Sequence, residues 1–317
     1  MWTKQFGELS KDHAHIAGGK GASLGELTCN NIPVPPGFVV VADSFKHFIE
    51  KTGLEEKINT VLKTVDIHNK ATVDAASKEI QETILSSTIE MPNDIAQEVG
   101  AAFKKLDADF VAVRSSATAE DSAAAAWAGQ LDTYLNTTEQ TLMENVRKCW
   151  ASLFTPRAIF YRFEKELHQT EISVAVVVQK MVASEASGVA FSVDPVTENR
   201  NHILIEGAFG LGEAVVSGTI TPDAYVVSKE PRTIVEKNIE TQEKGLYRAT
   251  DGGNEWRIIS PDEGGKQKLT DEQILELCEI ILNIEHCYNA PQDIEWAIEN
   301  NSFYIVQSRP ITTLSGN

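Results

Sequence analysis

Apolar residues recur along this chain with several spacings, and each spacing predicts a different element. Over residues 44–106 they return every three or four positions, which predicts two or three packed helices interrupted near 66–69 and at Pro92. The aromatics of residues 150–162 also fall at helical spacing and read as a core stripe. LTDEQILELCEIILNIEHCY, from Leu269, predicts an amphipathic helix capped by Thr270 or Asp271. Elsewhere the spacing shortens. Residues 108–113 predict a short buried strand that ends at Arg114, and residues 172–182 form an almost continuous branched run, the mark of a central strand covered on both faces. Residues 187–195, residues 202–218 and the segment TPDAYVVS predict further strands, whereas 229–265 reads as strands and loops open to water.

The clearest alternation is DIEWAIENNSFYIVQSRP, residues 293–310, which predicts a hairpin turning at Asn300, Asn301 and Ser302. Side chains switch faces at every strand residue, so Ile294, Trp296 and Ile298 share one side and Glu295 takes the other. On the second strand Phe303, Ile305, Gln307 and Arg309 share a side. A two-residue turn would pair Glu295 with Val306 and put Glu295 and Gln307 on opposite faces. A three-residue loop pairs Glu295 with Gln307 and Asp293 with Arg309, and this is the register we expect. It gathers a carboxylate, an amide oxygen and a guanidinium on one surface, which supplies hard oxygens for magnesium and a planar donor fork for a phosphate. An ordinary solvated hairpin closed by an Asp293–Arg309 ion pair is the plainer alternative.

Length and charge narrow the classes. A chain of 317 residues has room for two lobes at about 100–200 residues per domain. The net charge of -18 repels nucleic acid and anionic lipid, so any phosphate site has to be made by local donors, and a bound nucleotide would come with a cation. Cys29, Cys149, Cys278 and Cys287 show neither a CxxC pair nor metal-ligand spacing, and the start of the chain lacks an apolar signal core. We therefore expect a cytoplasmic protein with reduced thiols.

Candidate phosphate-binding chemistry lies in the first half. In GGKGASLGEL, residues 18–27, glycines around Lys20 let backbone approach a ligand, and the apolar spacing that follows starts a helix whose first amides attract anions. This is not a Walker loop, because Gly21 rather than Ser or Thr follows the lysine. Arg114, followed by hydroxyls and small residues in RSSATAEDSAAAAWAGQLDTYLN, suits a mobile loop closing over phosphates, and Gly129, Gln130 and Thr133 could reach the same anion. The rival reading is a helix cap at Ser115, Ser116 or Thr118. Gln179, Lys180 and Met181 interrupt the end of the central strand, where backbone groups can meet the edge of a base and Met181 its ring. GAFGLGE does not follow the GxGxxG order, so a dinucleotide fold is rejected, and its glycines read as a tight strand-to-helix corner with Glu206 and Glu213 near the cleft.

GGKGASLGEL, VPPGF, VRSSATAEDS with AGQLDTYLN, SGVAFSVDP, EGAFGLGEAVVSG with TPD, and DIEW with QSRP occur in that order and together resemble the nucleotide-binding region of the phosphoenolpyruvate synthase and pyruvate phosphate dikinase family. The resemblance covers nearly the whole chain. It implies an α+β ATP-grasp fold whose two lobes carry antiparallel-rich sheets, with ATP and magnesium in a cleft between them, and we divide the lobes at 1–180 and 181–317. Matched residue by residue, it implies that Lys20 and Arg114 hold phosphates, that Gly129 and Thr133 belong to the closing loop, and that Gln179 and Met181 face the adenine. Glu295 and Gln307 resemble the magnesium ligands and Arg309 a phosphate clamp. In the family, ATP phosphorylates a histidine on a separate swivelling domain. No glycine-rich segment with a carrier histidine is found here, so the chain reads as an ATP domain that needs that partner. Rifampicin phosphotransferase is the close alternative, and a non-catalytic nucleotide sensor is the alternative from another class.

Overall fold

A computed structural model describes residues 1–118, 132–164, 173–250 and 252–314. They divide into two units, one of Met1–Glu26 with Pro36–Met181 and the other of Leu27–Pro35 with Val182–Asn317. Each is α+β, and every pairing between its named strands is antiparallel.

The first unit is built on β1 (Thr3–Gln5), β2 (Gly37–Val40), β3 (Val111–Ala117), β4 (Thr133–Thr137) and β5 (Val174–Lys180), in the order β1-β2-β5-β3-β4. β5 is central and buried up to its last residue, as an unbroken branched run requires. The preceding kinked helix α1 (Ala14–Cys29) packs on one side of the sheet. Residues 44–106 hold α2 (Ala42–Thr52), α3 (Leu54–Leu62), α4 (Lys70–Leu85) and α5 (Asn93–Leu106), more than the two or three expected. The extra break is Gly53, whose left-handed backbone ends α2 and starts α3 with no loop between, so apolar spacing does not register it. Asn69 caps α4 by accepting from the Ala71 amide at 3.1 Å, and Pro92 stops the chain ahead of α5. α6 (Leu142–Ala151) and α7 (Pro156–Glu164) follow, and their aromatics Trp150 and Tyr161 join Phe154, Phe45, Phe48, Val113 and Val176 in one core. Trp150 is fully buried there, and truncating it to alanine would cost about 3–5 kcal/mol.

Arg114 is not at a strand end as expected. β3 continues through it to Ala117, because the following hydroxyls find partners inside the unit: Ser115 Oγ donates to the Asp132 carbonyl at 3.2 Å and Ser116 Oγ accepts the Gly21 amide at 3.3 Å. Those bonds replace the helix cap considered for Ser115 and Ser116.

The second unit contains β6 (Ala186–Phe191), β7 (His202–Phe209), α8 (Glu213–Val216), β8 (Asp223–Ser228), β9 (Thr233–Asn238), β10 (Lys244–Arg248), β11 (Asn254–Ile258), α9 (Pro261–Gly264), α10 (Asp271–Tyr288), β12 (Gln292–Glu299) and β13 (Ser302–Pro310). Six of the strands make a sheet ordered β13-β12-β6-β7-β8-β9, and β10 pairs with β11 as a separate ribbon. Thr270 caps α10 by accepting from the Gln273 amide at 3.2 Å. The apolar stripe of that helix, Ile274, Leu277, Cys278, Ile281 and Ile284, covers the sheet face formed by Ile203, Ile205, Tyr225, Ile294, Trp296 and Ile305. At the end of β7, Gly210 turns the chain at φ 92°, where an added Cβ would meet the Leu246 carbonyl oxygen at 2.4 Å.

A buried ion pair ties the segment between α9 and α10 to this sheet. Lys268 Nζ lies 3.0 Å from Asp223 Oδ1, with side chains 1% and 0% exposed. Asp223 is saturated besides, since Tyr225 Oη donates to it at 2.6 Å and the amides of Glu240 and Lys268 at 3.0 Å each. Such bonds are what make a desolvated pair tolerable. Among the described residues no helix is long and apolar enough to cross a membrane.

Candidate functional site

The hairpin of the second unit has the expected pairing, reached by a different route. Glu295 pairs with Gln307 and Asp293 with Arg309. The connection, however, is a two-residue turn: Glu299 pairs with Ser302, and Asn300 and Asn301 both have left-handed backbone, at φ 51° and 57°. The shift is made further along, where Trp296 pairs with Ile305 but Glu295 pairs with Gln307, so Val306 is the extra residue of a β-bulge. The three-residue loop is thus corrected. Before the bulge, Phe303 and Ile305 face the core opposite Ile298 and Trp296; after it, Gln307 and Arg309 face the other side with Glu295 and Asp293. Simple alternation could not satisfy both, because it leaves Gln307 on the side of Phe303.

The pairings extend this polar face across the sheet. Gln307, Glu295, Val189 and Glu206 lie in one row on successive strands, so Glu295 and Glu206 are about 10 Å apart at the backbone. Burial pushes the half-buried Glu206 carboxyl above its ordinary value. Glu213, also placed near the cleft on sequence, is exposed and instead accepts from Asn254 Nδ2 at 2.9 Å. Arg309 is held by Asp293 through its Nε at 2.8 Å and Nη2 at 2.7 Å, and about half of the side chain is exposed. The ion pair of the plainer reading therefore exists, and it fixes the guanidinium beside Glu295 and Gln307. Glu295 and Gln307 offer one carboxylate and one amide oxygen at adjacent strand positions. No group of three or more His, Cys, Asp or Glu residues able to hold a metal occurs among the described residues. That donor set is too sparse for an all-protein cage and fits a magnesium ion completing its shell with phosphate and water.

The first unit has its own polar set on one sheet face. Thr133 pairs with Arg114, Arg114 with Val177 and Val177 with Val39, so the four form one row. Gln179, two residues beyond Val177, points to the same side. α1 packs against this side at Gly18 and Gly21. Gly18 kinks the helix at φ 66°, and a Cβ there would meet Ser116 Oγ at 2.2 Å and its carbonyl oxygen at 2.3 Å, so glycine is required. The kink starts a new helical turn just ahead of Lys20. Arg114 is 9% exposed and Gln179 2%, and Gln179 Nε2 has no hydrogen-bond partner among the described residues. A buried amide left in that state is costly unless something else accepts from it. Met181 is half-buried. The amides of Lys180 and Met181 donate to the carbonyls of Pro36 at 2.9 Å and Phe110 at 3.1 Å, so those two backbone donors are not open as the sequence reading supposed. Gly129 lies outside the described residues.

Each of the two larger sheets thus presents a cationic side chain and oxygen-donor side chains on one face. The family follows from similarity: residues 14–317 match the family model for the pyruvate phosphate dikinase AMP/ATP-binding domain, and the chain belongs to that family. A probable phosphoenolpyruvate synthase of Archaeoglobus fulgidus is 48% identical over 97% of this chain and 41% of its own length, and one of Methanocaldococcus jannaschii is 46% identical over 97% and 26%. Rifampicin phosphotransferase of Bacillus cereus is 42% identical over 98% of this chain and 36% of its own. The chain spans between a quarter and a half of the length of these relatives. Among solved structures, a D-alanine-D-alanine ligase from Helicobacter pylori aligns over 76% of this chain and 54% of its own with a TM-score of 0.31 and 9% identity, too little to carry an argument.

Proposed function

We propose that this chain is the magnesium- and ATP-binding, phosphoryl-donating domain of a phosphoenolpyruvate synthase-like phosphotransferase with an ATP-grasp fold. The observation that carries the proposal is the hairpin register: the bulge at Val306 brings Glu295, Gln307 and Arg309 to one face in the positions that resemble the family's metal and phosphate residues. Glu295 and Gln307 would hold the ion, and Arg309, oriented by Asp293, would direct donors at a phosphate. When bound, magnesium would neutralise charge on the phosphate oxygens of ATP. Lys20 and Arg114 would hold phosphates from the first unit, with Thr133 in the closing segment, and the buried Gln179 amide and Met181 would meet the adenine. Little covalent work falls to this domain. Its part is to position the phosphoryl group and stabilise its charge while a histidine of a separate carrier domain attacks, the P–O bond to the nucleotide breaks and the nucleotide leaves with the electron pair. The carrier would pass the group on to pyruvate. We place the reaction in the cytoplasm, in keeping with four free cysteines.

The similarity to a rifampicin phosphotransferase supports a second reading, in which the domain is the same and the final acceptor differs. The first test is calorimetry of ATP with and without magnesium. Glu295→Ala should abolish the magnesium-dependent gain in affinity and Glu299→Ala should leave it, whereas equal effects would refute the metal assignment. Label transfer from radioactive ATP to a supplied carrier-histidine domain then separates a phosphoryl donor from a nucleotide sensor, which would bind ATP and label nothing.

A further inference from the structure

Behind the polar face runs a second set of polar groups, buried at Ser192, Gln292 and Ser308. Lys229 Nζ meets Glu285 Oε2 at 2.6 Å, and Ser192 Oγ donates to Glu285 Oε1 at 3.0 Å. Ser192 and Gln292 then clasp each other: the Gln292 amide donates to Ser192 Oγ at 2.9 Å, and the Ser192 amide to the Gln292 carbonyl at 2.9 Å. Finally Ser308 Oγ donates to the side-chain oxygen of Gln292 at 2.9 Å, while Gln292 Nε2 donates to the carbonyls of Ala290 and Pro291 at 3.2 Å each. Gln292 and Ser192 are 0% exposed and Ser308 3%. Ser308 stands between Gln307 and Arg309 in the chain.

The bulge makes this arrangement consequential. With Val306 paired normally, the hairpin would continue Glu295 to Val306, Ile294 to Gln307, Asp293 to Ser308 and Gln292 to Arg309, the reverse of the observed faces beyond Ile305. A one-residue slip of that kind moves every side chain beyond it to the opposite face. In the observed register the Gln292 oxygen has its hydroxyl partner. In the slipped one it would lose it, and a guanidinium would be driven into the face covered by α10. We propose that Gln292, anchored through Ser192 to Glu285, is a positioning residue: its bond to Ser308 selects the bulged register and so presents Gln307 and Arg309 to magnesium-bound ATP.

The functional half of this inference rests on the reading of Glu295 and Gln307 as the metal site, whereas the structural half does not. The test therefore measures both on the full chain. Backbone contacts between Glu295 and Gln307, seen as cross-strand nuclear Overhauser effects, report the register, and calorimetry with magnesium and ATP reports the site. Ser308→Ala and Gln292→Met should each add Glu295–Val306 contacts and weaken magnesium-dependent ATP affinity in proportion to the fraction of chains that leave the bulged register, up to about tenfold, the scale of one lost buried hydrogen bond. The double variant removes both polar partners and should regain thermal stability without regaining the register or the affinity. An unchanged register in Gln292→Met, or a double variant that recovers affinity along with stability, would overturn the positioning role. If the register shifts in the variants while the parent chain shows no magnesium-dependent binding, the metal reading fails and the register control stands.

Discussion

Arg114 and Glu295 both sit in mid-strand of an antiparallel sheet, and their surroundings differ. Arg114 is 9% exposed, in a strand buried along its whole length, on the face that receives α1. Glu295 is half-buried in a strand whose burial largely alternates, and the apolar side chains between which it lies turn to the other face to meet α10. In the first unit the residues that would touch phosphate also help to hold the fold together. In the second, one face makes the core and the other carries the chemistry. Substitutions should therefore couple folding and binding in the first unit and separate them in the second.

The strongest way to break that contrast is at Gly18. Gly18→Ala forces a Cβ into the Ser116 backbone at a left-handed position, and should cost about 3 kcal/mol or more in urea unfolding while removing ATP binding. Stability kept with binding lost would show that α1 is an appendage of the fold. Next come matched variants of the two mid-strand residues. Arg114→Met replaces a side chain buried within the sheet and α1 packing, and should lower stability by about 1–3 kcal/mol as well as ATP affinity. Glu295→Gln should move stability by less than about 0.5 kcal/mol yet lower magnesium-dependent affinity by at least the ~10-fold that even an outer-shell metal partner contributes. Comparable losses of stability in the two would end the distinction.

The smallest effect is one of pH. Glu206 has its carboxyl value raised by burial, so the folded state holds the proton longer than the unfolded chain does. The contribution of that protonated form is complete below the unfolded value and is lost as pH rises through the raised folded one, from about 4.5 upward. Glu206→Gln cannot ionise, so it should gain stability relative to the parent chain over that interval. Parallel unfolding curves across it would mean that the carboxylate is solvated on an open face.

How much of this was legible depended on whether the controlling contact was local. The faces of β12 could be read because Ile294, Trp296 and Ile298 alternate with Asp293 and Glu295. The right partner for Glu295 was found through the wrong turn. Two consecutive asparagines favour the tight left-handed turn, and the conflict between Ile305 facing the core and Gln307 facing away was itself the sign of a bulge. Arg114 reads as a strand end but lies in mid-strand for the opposite reason. A Ser-Ser-Ala-Thr sequence looks like the start of a turn, and the partners that keep those hydroxyls in a strand, among them the Asp132 carbonyl, Ser152 and the Gly21 amide, are remote in sequence. Gln179 stands out because it interrupts a run of valines, but the lack of a partner for its amide nitrogen among the described residues is a property of packing that no sequence pattern carries.

The Lys268–Asp223 pair bears on how this acidic chain responds to its medium. Ions of the buffer thin out attraction between exposed partners such as Lys78 and Glu82, whose side chains are 75% and 68% accessible. They do not reach a pair enclosed at 1% and 0%. The β10–β11 ribbon is fastened at both of its roots by groups on that pair, the Glu240 amide on Asp223 and the Gly264 carbonyl on Lys268. Brine that erases the surface pairs would leave the ribbon moored.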